Sequence, residues 1–120
     1  MPIYNDTDIV GRSIARFQRV SARKARLVAD LVRGKRVGDA LRIAKFANRP
    51  SAAPMVLNAL KSAVAGVDKA RFANPEKELV VGEIKVDDGP IMYRFRPSSR
   101  GRGVRIRKRF CHIAVKLMQR

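Results

Sequence analysis

Cys111 and His112 stand side by side in this chain, and Glu83, Asp87 and Asp88 precede them. A thiol beside an imidazole can act as nucleophile and base, and grouped carboxylates can hold a catalytic metal. Neither constellation is complete. His112 is the single histidine and Cys111 the single cysteine, with no third polar partner close in sequence. Strand packing therefore explains the pair better than catalysis or metal binding. Adjacent aspartates in a strand point to opposite faces, and Asp87-Asp88 precede Gly89-Pro90, where a turn, or only a bend or bulge, accounts for them. Gly101 and Gly103 do not complete a phosphate-binding glycine fingerprint, because Ile106 occupies the place of the third glycine. No catalytic residue, metal ligand or cofactor site is expected.

The abundant chemistry is cationic. The stretch RFRPSSRGRGVRIRKRF (94–110) holds eight basic residues and no acid, and the whole chain has a net charge of +17. Self-repulsion of that size is relieved by a polyanion, most simply nucleic acid. The charge is uneven: residues 1–36 carry nine basic and three acidic side chains, 37–90 eight and seven, and 91–120 ten and none. A near-neutral middle between two basic ends describes a packed body with two basic surfaces. At 120 residues and 46% hydrophobic content the chain is expected to form a single domain, residues 1–120, with its own core. One cysteine excludes an internal disulfide and fits a reducing compartment. No apolar run approaches a membrane span and MPIYNDTDIV lacks a signal-peptide pattern, so no membrane partner is expected.

The elements that position these charges are α+β. Residues 12–19 alternate loosely as a short strand. Ser21 is a good N-cap for a helix over ARKARLVADLVRG, with Gly34 as its C-terminal stop. Ala25, Val28, Ala29, Leu31 and Val32 share its apolar face, and Arg23, Arg26 and Arg33, with Asp30, lie opposite. Val37, Ala40, Leu41 and Ala44 predict a second helix, ended by Asn48-Arg49-Pro50. Ser51 opens a third, with Pro54 in its first turn and Val56, Leu57, Leu60, Val64 and Val67 as its stripe. Leu31 and Leu60 are expected to be buried where the first and third helices pack. Residues 69–78 read as a surface loop. The period then falls to two: LVVGEIKV (79–86) places Val80, Gly82, Ile84 and Val86 on one face and Val81, Glu83 and Lys85 on the other. Alternation returns at Val104, Ile106 and Phe110, then at Ile113, Val115 and Leu117. That change of parity predicts a bulge near Cys111-His112.

Strand signals on both sides make the basic stretch a folded extension, not a tail. Pairing the two strands puts a hairpin over about residues 85–107, with its turn near Pro97–Gly101. Each arm extends roughly ten residues, or ~30 Å, beyond the body. Met92, Tyr93 and Phe95, set among basic residues there, suit contact with RNA bases or a cavity wall. The first two helices outline a helix-turn-helix, but the second exposes Arg42 and Lys45 with few side chains able to read base edges. Charge of that kind binds phosphate without reading sequence, which favours a shape-reading RNA partner over DNA.

Three segments, SARKARLVADLVRGKRV (21–37), DDGPIMYRFRPSSRGR (87–102) and RIRKRFCHIAVKL (105–117), resemble the bacterial large-subunit ribosomal protein twenty-two family. The resemblance runs from about residue 12 to the end. It implies three helices on a three-stranded antiparallel sheet, with a long hairpin reaching along the nascent-peptide exit tunnel. It implies a structural, non-enzymatic constituent of the large subunit, in the cytoplasm. Its partners would be large-subunit rRNA, neighbouring large-subunit ribosomal proteins and the nascent peptide. Met92, Tyr93 and Arg94 would lie near the tunnel-facing tip, and Arg96, Arg100 and Arg102 among rRNA phosphates. The body would bind through Arg23, Lys24, Arg26, Lys35 and Arg36. Arg12, Arg16, Arg19, Arg33, Arg105, Arg107, Lys108 and Arg109, from the same two charged ends, complete the expected rRNA-binding set. Tyr93 stands where the family usually has Lys, and Cys111 where it has Ser or Thr. The first ten residues match no part of the pattern and are expected to form a flexible arm.

Overall fold

The computed structural model describes residues 9–119. In order, the elements are β1 (Ile9–Gln18), α1 (Ala22–Val32), α2 (Val37–Phe46), α3 (Ala53–Ala65), the single-turn α4 (Pro75–Glu78), β2 (Leu79–Pro97) and β3 (Gly103–Gln119). The strands form one antiparallel sheet in the order β1–β3–β2. The arm expected over the first ten residues lies outside the described residues, except that Ile9 and Val10 already belong to β1.

The helices cover one face of the sheet: α3 lies against β1 and β3, α1 against β2 and β3, and α2 bridges α1 and α3. Ser21 caps α1 as expected, its hydroxyl accepting from the Lys24 N–H at 3.4 Å. Gly34 ends the turn after α1 with φ 77°. Alanines line the contacts between layers (Ala25, Ala29, Ala40, Ala44, Ala59 and Ala63), letting the helices approach closely, while Leu60, Leu79, Ile84, Ile113 and Leu117 fill the centre. No polar or charged residue is buried among the described residues.

Several sequence-based expectations shift. Leu31 is 52% exposed, and Leu27 beside it is also exposed. At 100° per residue Leu31 falls on the flank of the stripe formed by Ala22, Ala25, Val28, Ala29 and Val32, so Leu60 packs without it. Ser51 does not cap α3; the helix starts at Ala53, with Ala52 in the cap position and no side-chain bond. The 69–78 stretch holds α4 and a buried Phe72. Phe72 anchors a segment that looked solvated because its neighbours are polar.

Three bulges account for the remaining differences. In β2, Val81 pairs with Leu117 but Glu83 pairs with Lys116. Gly82 is the extra residue, so the core phase passes from Leu79 and Val81 to Ile84 and Val86. A side chain at 82 would strike the Met118 side chain. The irregularity foreseen at Cys111-His112 lies opposite those residues, in both neighbouring strands. β2 slips between Asp88 and Ile91, so the bulge and not the turn is realised at Gly89-Pro90, and β1 slips between Ala15 and Gln18. β3 keeps one phase, with Cys111, Ile113, Val115 and Leu117 inward. Val104 and Ile106 had suggested the opposite parity because they lie beyond the core, on the ribbon.

Beyond Asp88 the β2–β3 pair leaves the body and remains paired to Pro97–Gly103. The radius of gyration is 17.1 Å, against about 13.6 Å for a compact chain of this length. The excess is the ribbon.

On the sheet face without helices, Glu83 accepts from Lys85 at 2.9 Å and Lys116 at 3.1 Å. These hydrogen bonds, Lys85 first, hold its carboxyl below the ordinary glutamate range. A depressed carboxyl contributes stability above its unfolded value, about 4.3, and that contribution is lost as pH falls through the folded value. Glu83→Gln is therefore expected to lower stability at neutral pH and to flatten the acid limb of a stability–pH curve. An unchanged acid limb would show that the triad contributes nothing. In denaturant titrations Leu60→Ala is expected to cost about 2–5 kcal/mol, while Leu31→Ala stays within about 0.5 kcal/mol. Equal losses would contradict the orientation of α1.

Candidate nucleic-acid interface

β2 is an edge strand, and its free side would present unpaired backbone groups to solvent. The segment after α1 closes one end of that edge. Gly34 N–H donates to the Val81 carbonyl at 3.0 Å, Val81 N–H donates to the Lys35 carbonyl at 2.9 Å, and Arg36 bridges to Val80. Further along, Arg33 Nη2 donates to the Ile84 carbonyl at 2.9 Å, and Arg26 donates from Nε and Nη2 to the Val86 carbonyl at 3.2 and 2.9 Å. Arg33 also pairs with Asp30 at 2.6 Å. Two of the three arginines of the expected basic helix face, Arg26 and Arg33, thus reach the sheet edge while keeping solvent-exposed surface, and Arg23 and Lys24 are exposed without such a bond. The period alone could not reveal this, because it gives the angle of a side chain but not what lies across from it.

The structure brings Arg19, Lys24, Arg107, Lys108 and Arg109 around a cavity of ≈ 420 Å³ between the start of α1 and the root of the ribbon. Ser51 joins them from the start of α3, a contribution no sequence signal marked. Arg19 and Lys108 also border a second hollow with Met92, Arg94 and Phe110. Arg12 and Arg16 lie apart on β1, exposed; Arg12 pairs with Lys116 of β3. Arg36 faces a third cavity of ≈ 630 Å³, lined by the acids Asp39 and Glu76 and by the basic residues Arg42, Lys45, Lys61 and Lys77. Of these four, sequence patterning pointed to Arg42 and Lys45 only, since Lys61 and Lys77 reach the cavity from separate helices.

The ribbon itself is solvated: residues 90–105 are all exposed. Its turn is at Ser99–Gly101, with Arg100 at φ 62° and Gly101 at φ 72° in the left-handed region, closed by Ser98 N–H on the Arg102 carbonyl at 2.7 Å. The tip is therefore Ser98–Arg102. Met92, Tyr93 and Arg94, expected near it, lie part-way along the arm opposite Lys108, Arg107 and Ile106. Strand alternation also sends Met92 and Arg94 to one face and Tyr93 to the other. The turn residues located the tip correctly, but tip and motif are different places.

The Cys–His pair is structural. Cys111 is fully buried, and desolvation pushes its thiol pKa up, away from reactivity. His112 Nδ1 accepts from the Phe17 N–H at 3.0 Å, and the two rings meet edge to face at 5.0 Å. That bond occupies the irregular turn of β1, where Phe17 has φ 56°. Among the described residues no group of three His, Cys, Asp or Glu side chains could hold a metal, and no helix is long and apolar enough to cross a membrane.

A helix-backed three-stranded sheet, extended by a cationic ribbon, defines the class: small basic α+β proteins that carry a projecting hairpin. Comparison with known proteins narrows it. Residues 13–118 match the family described as ribosomal protein L22p/L17e. The chain is 49% identical over 104 residues to the large ribosomal subunit protein uL22 of Leptospira biflexa serovar Patoc, covering 87% of this chain and 89% of that protein. It is 45% identical over 106 residues to that of Rubrobacter xylanophilus, covering 88% and 82%. The chain belongs to the L22p/L17e family, whose members are structural constituents of the large ribosomal subunit and not enzymes.

The seal on β2 is testable. Arg26→Met keeps the apolar stem but removes both bonds to Val86, and is expected to cost about 1–3 kcal/mol in urea denaturation. Arg23→Met, on the exposed side of the same helix, should change stability by less than about 0.5 kcal/mol. Similar small effects at both sites would show that the Arg26 contact carries no stability.

Proposed function

We propose that this protein binds large-subunit rRNA through its basic surfaces and lines the nascent-peptide exit tunnel with its hairpin. The whole chain, residues 1–120, acts as one unit in the cytoplasmic ribosome, supporting translation and subunit assembly. The observation that carries this reading is the ribbon. It has eight basic residues between 94 and 110, no acid, and no core beneath it. A two-stranded ribbon is marginal in water by itself, and like charges along it oppose compaction, so an anionic surround is what gives it a fixed course. Arg96, Arg100 and Arg102 sit at and beside the tip, where phosphate contacts would anchor it. Arg19, Lys24 and Arg107–Arg109 hold its root against the same RNA.

Arg12, Arg16, Arg23, Lys35 and Arg36 extend the contact over the body, with Arg26 and Arg33 doing so from the sealed edge. Met92 and Arg94 face the nascent peptide from the arm. Adjacent large-subunit proteins complete the surroundings of the body.

Because these contacts are to phosphate, the affinity of the isolated protein for rRNA fragments should fall steeply with salt. The log–log slope is expected to correspond to roughly six to ten released counterions, by analogy with duplex DNA. Binding that stays flat from low to physiological salt would sink the reading.

The register defines a clean truncation: remove residues 92–108 and close Ile91 to Arg109 with a short turn. Core residues Val81, Ile84, Val86, Ile113, Val115 and Leu117 all lie outside it, so circular dichroism should show an intact body. That body should enter large subunits but wash off at lower salt than the full chain. Retention as firm as the full chain's would show that the ribbon is not an anchor.

A further inference from the structure

The ribbon carries more than charge. Phe95 is 82% exposed, Tyr93 44% and Ile91 41%. Single exposed apolar residues are ordinary, but these three occupy alternate positions of one strand and so share one face. The register sets an arginine opposite each: Ile91 faces Arg109, Tyr93 faces Arg107 and Phe95 faces Arg105. Directly opposed residues of an antiparallel pair project to the same side. That face is therefore a ladder of apolar or aromatic side chains rung by rung with guanidinium groups. The Arg105 guanidinium carbon lies 3.9 Å from the Tyr93 ring centroid, across the diagonal. The Phe95 ring lies against Gly103, where a Cβ would meet its Cδ1 at 3.3 Å. The other face carries Met92, Arg94, Arg96, Val104, Ile106 and Lys108, with Arg94 Nη2 3.8 Å from Met92 Sδ. It has charge and apolar bulk but no exposed ring along the arm; its aromatic residue, Phe110, is half-buried at the root.

We infer that Tyr93, Phe95, Arg105 and Arg107 form a stacking face for unpaired RNA bases, an inference that rests on the rRNA-binding reading and divides the ribbon into two unlike sides. Phosphate binding alone needs only the arginines. Exposed rings add a planar surface that is useful to a ligand with planar faces of its own. Bases in a single strand present those faces, whereas a duplex hides them inside its stack. The interleaved arginines supply both phosphate attraction and further planes on which a base can lie. The absence of acidic residues from 89 to 119 selects an anionic ligand over a cationic or neutral peptide. Phosphate and base in one molecule satisfy both halves of the ladder.

The test uses the full chain and two probes, a short oligouridylate and an RNA duplex of equal length, titrated by fluorescence anisotropy over a range of salt. Phe95→Leu and Tyr93→Leu keep apolar bulk and net charge while removing the ring. Each is expected to weaken oligouridylate binding about tenfold, leaving the salt slope and duplex binding unchanged. Phe95→Trp and Tyr93→Phe should retain wild-type affinity. Val104→Ala, on the opposite face of the ribbon, should change neither probe. Melting curves of the variants should match the wild type, since the ribbon contributes no core. If the leucine variants weaken both probes equally, or neither, the stacking face does not exist. A wild-type chain that binds neither RNA would overturn the rRNA-binding reading itself, a distinct result.

Discussion

The edge of β2 is the constraint on which the rest of this structure depends. A strand with one unpaired side must be covered, and here the same nineteen-residue strand forms the body's sheet edge and one arm of the ribbon. Backbone bonds from Gly34 and Lys35, then side-chain bonds from Arg33 and Arg26, run along it from Val81 to Val86. They stop where the ribbon leaves the body. A charged donor on a partly buried carbonyl is among the stronger hydrogen bonds a protein makes. The helix is thereby fixed against the strand just before its departure, and the direction of the ribbon follows from the position of α1.

Two opposing demands meet in this chain. Its core is built from small side chains, with alanine at most helix contacts, so it is thin but closely packed. Around it lies a charge of +17. Among the described residues the acids that form ion pairs (Asp30, Asp39 and Glu83) all serve the body, and none reaches the ribbon. The body's charges are thus partly answered within it, while no acid among the described residues pairs with the ribbon's arginines. Bulges at Gly82 and at Gly89-Pro90 mark the passage between these regimes. The first shifts the core phase along β2, and the second lies where burial ends.

Local patterns made much of this legible. Ser21, Gly34 and the apolar spacing between them located α1, because capping and a 3.6-residue period act within a few residues of chain. Pro97–Gly101 located the turn for the same reason. Leu31 shows the limit: its phase lay near the edge of the apolar arc, and which way the arc is aimed depends on the helix's neighbours. Val104 and Ile106 misled because alternation cannot distinguish a core face from an exposed ribbon face. Among candidate site residues, exposed ribbon arginines were legible as a run of charge. The gathering of Arg19, Lys24 and Ser51 around Arg107–Arg109 was not, since its members come from three separate parts of the chain.

By itself the sequence determined the main elements and their order, though not α4, together with the uneven charge and the absence of a complete catalytic motif, all of which reside in residue type and short-range spacing. The tertiary structure alone decided that Arg26 and Arg33 bind a strand edge, that Cys111 is sealed in the core, and that Tyr93 and Phe95 stand opposite Arg107 and Arg105. Those outcomes depend on strand register and on which surfaces meet. A slip of one residue exchanges every face of a strand, and only long-range pairing sets where that slip occurs.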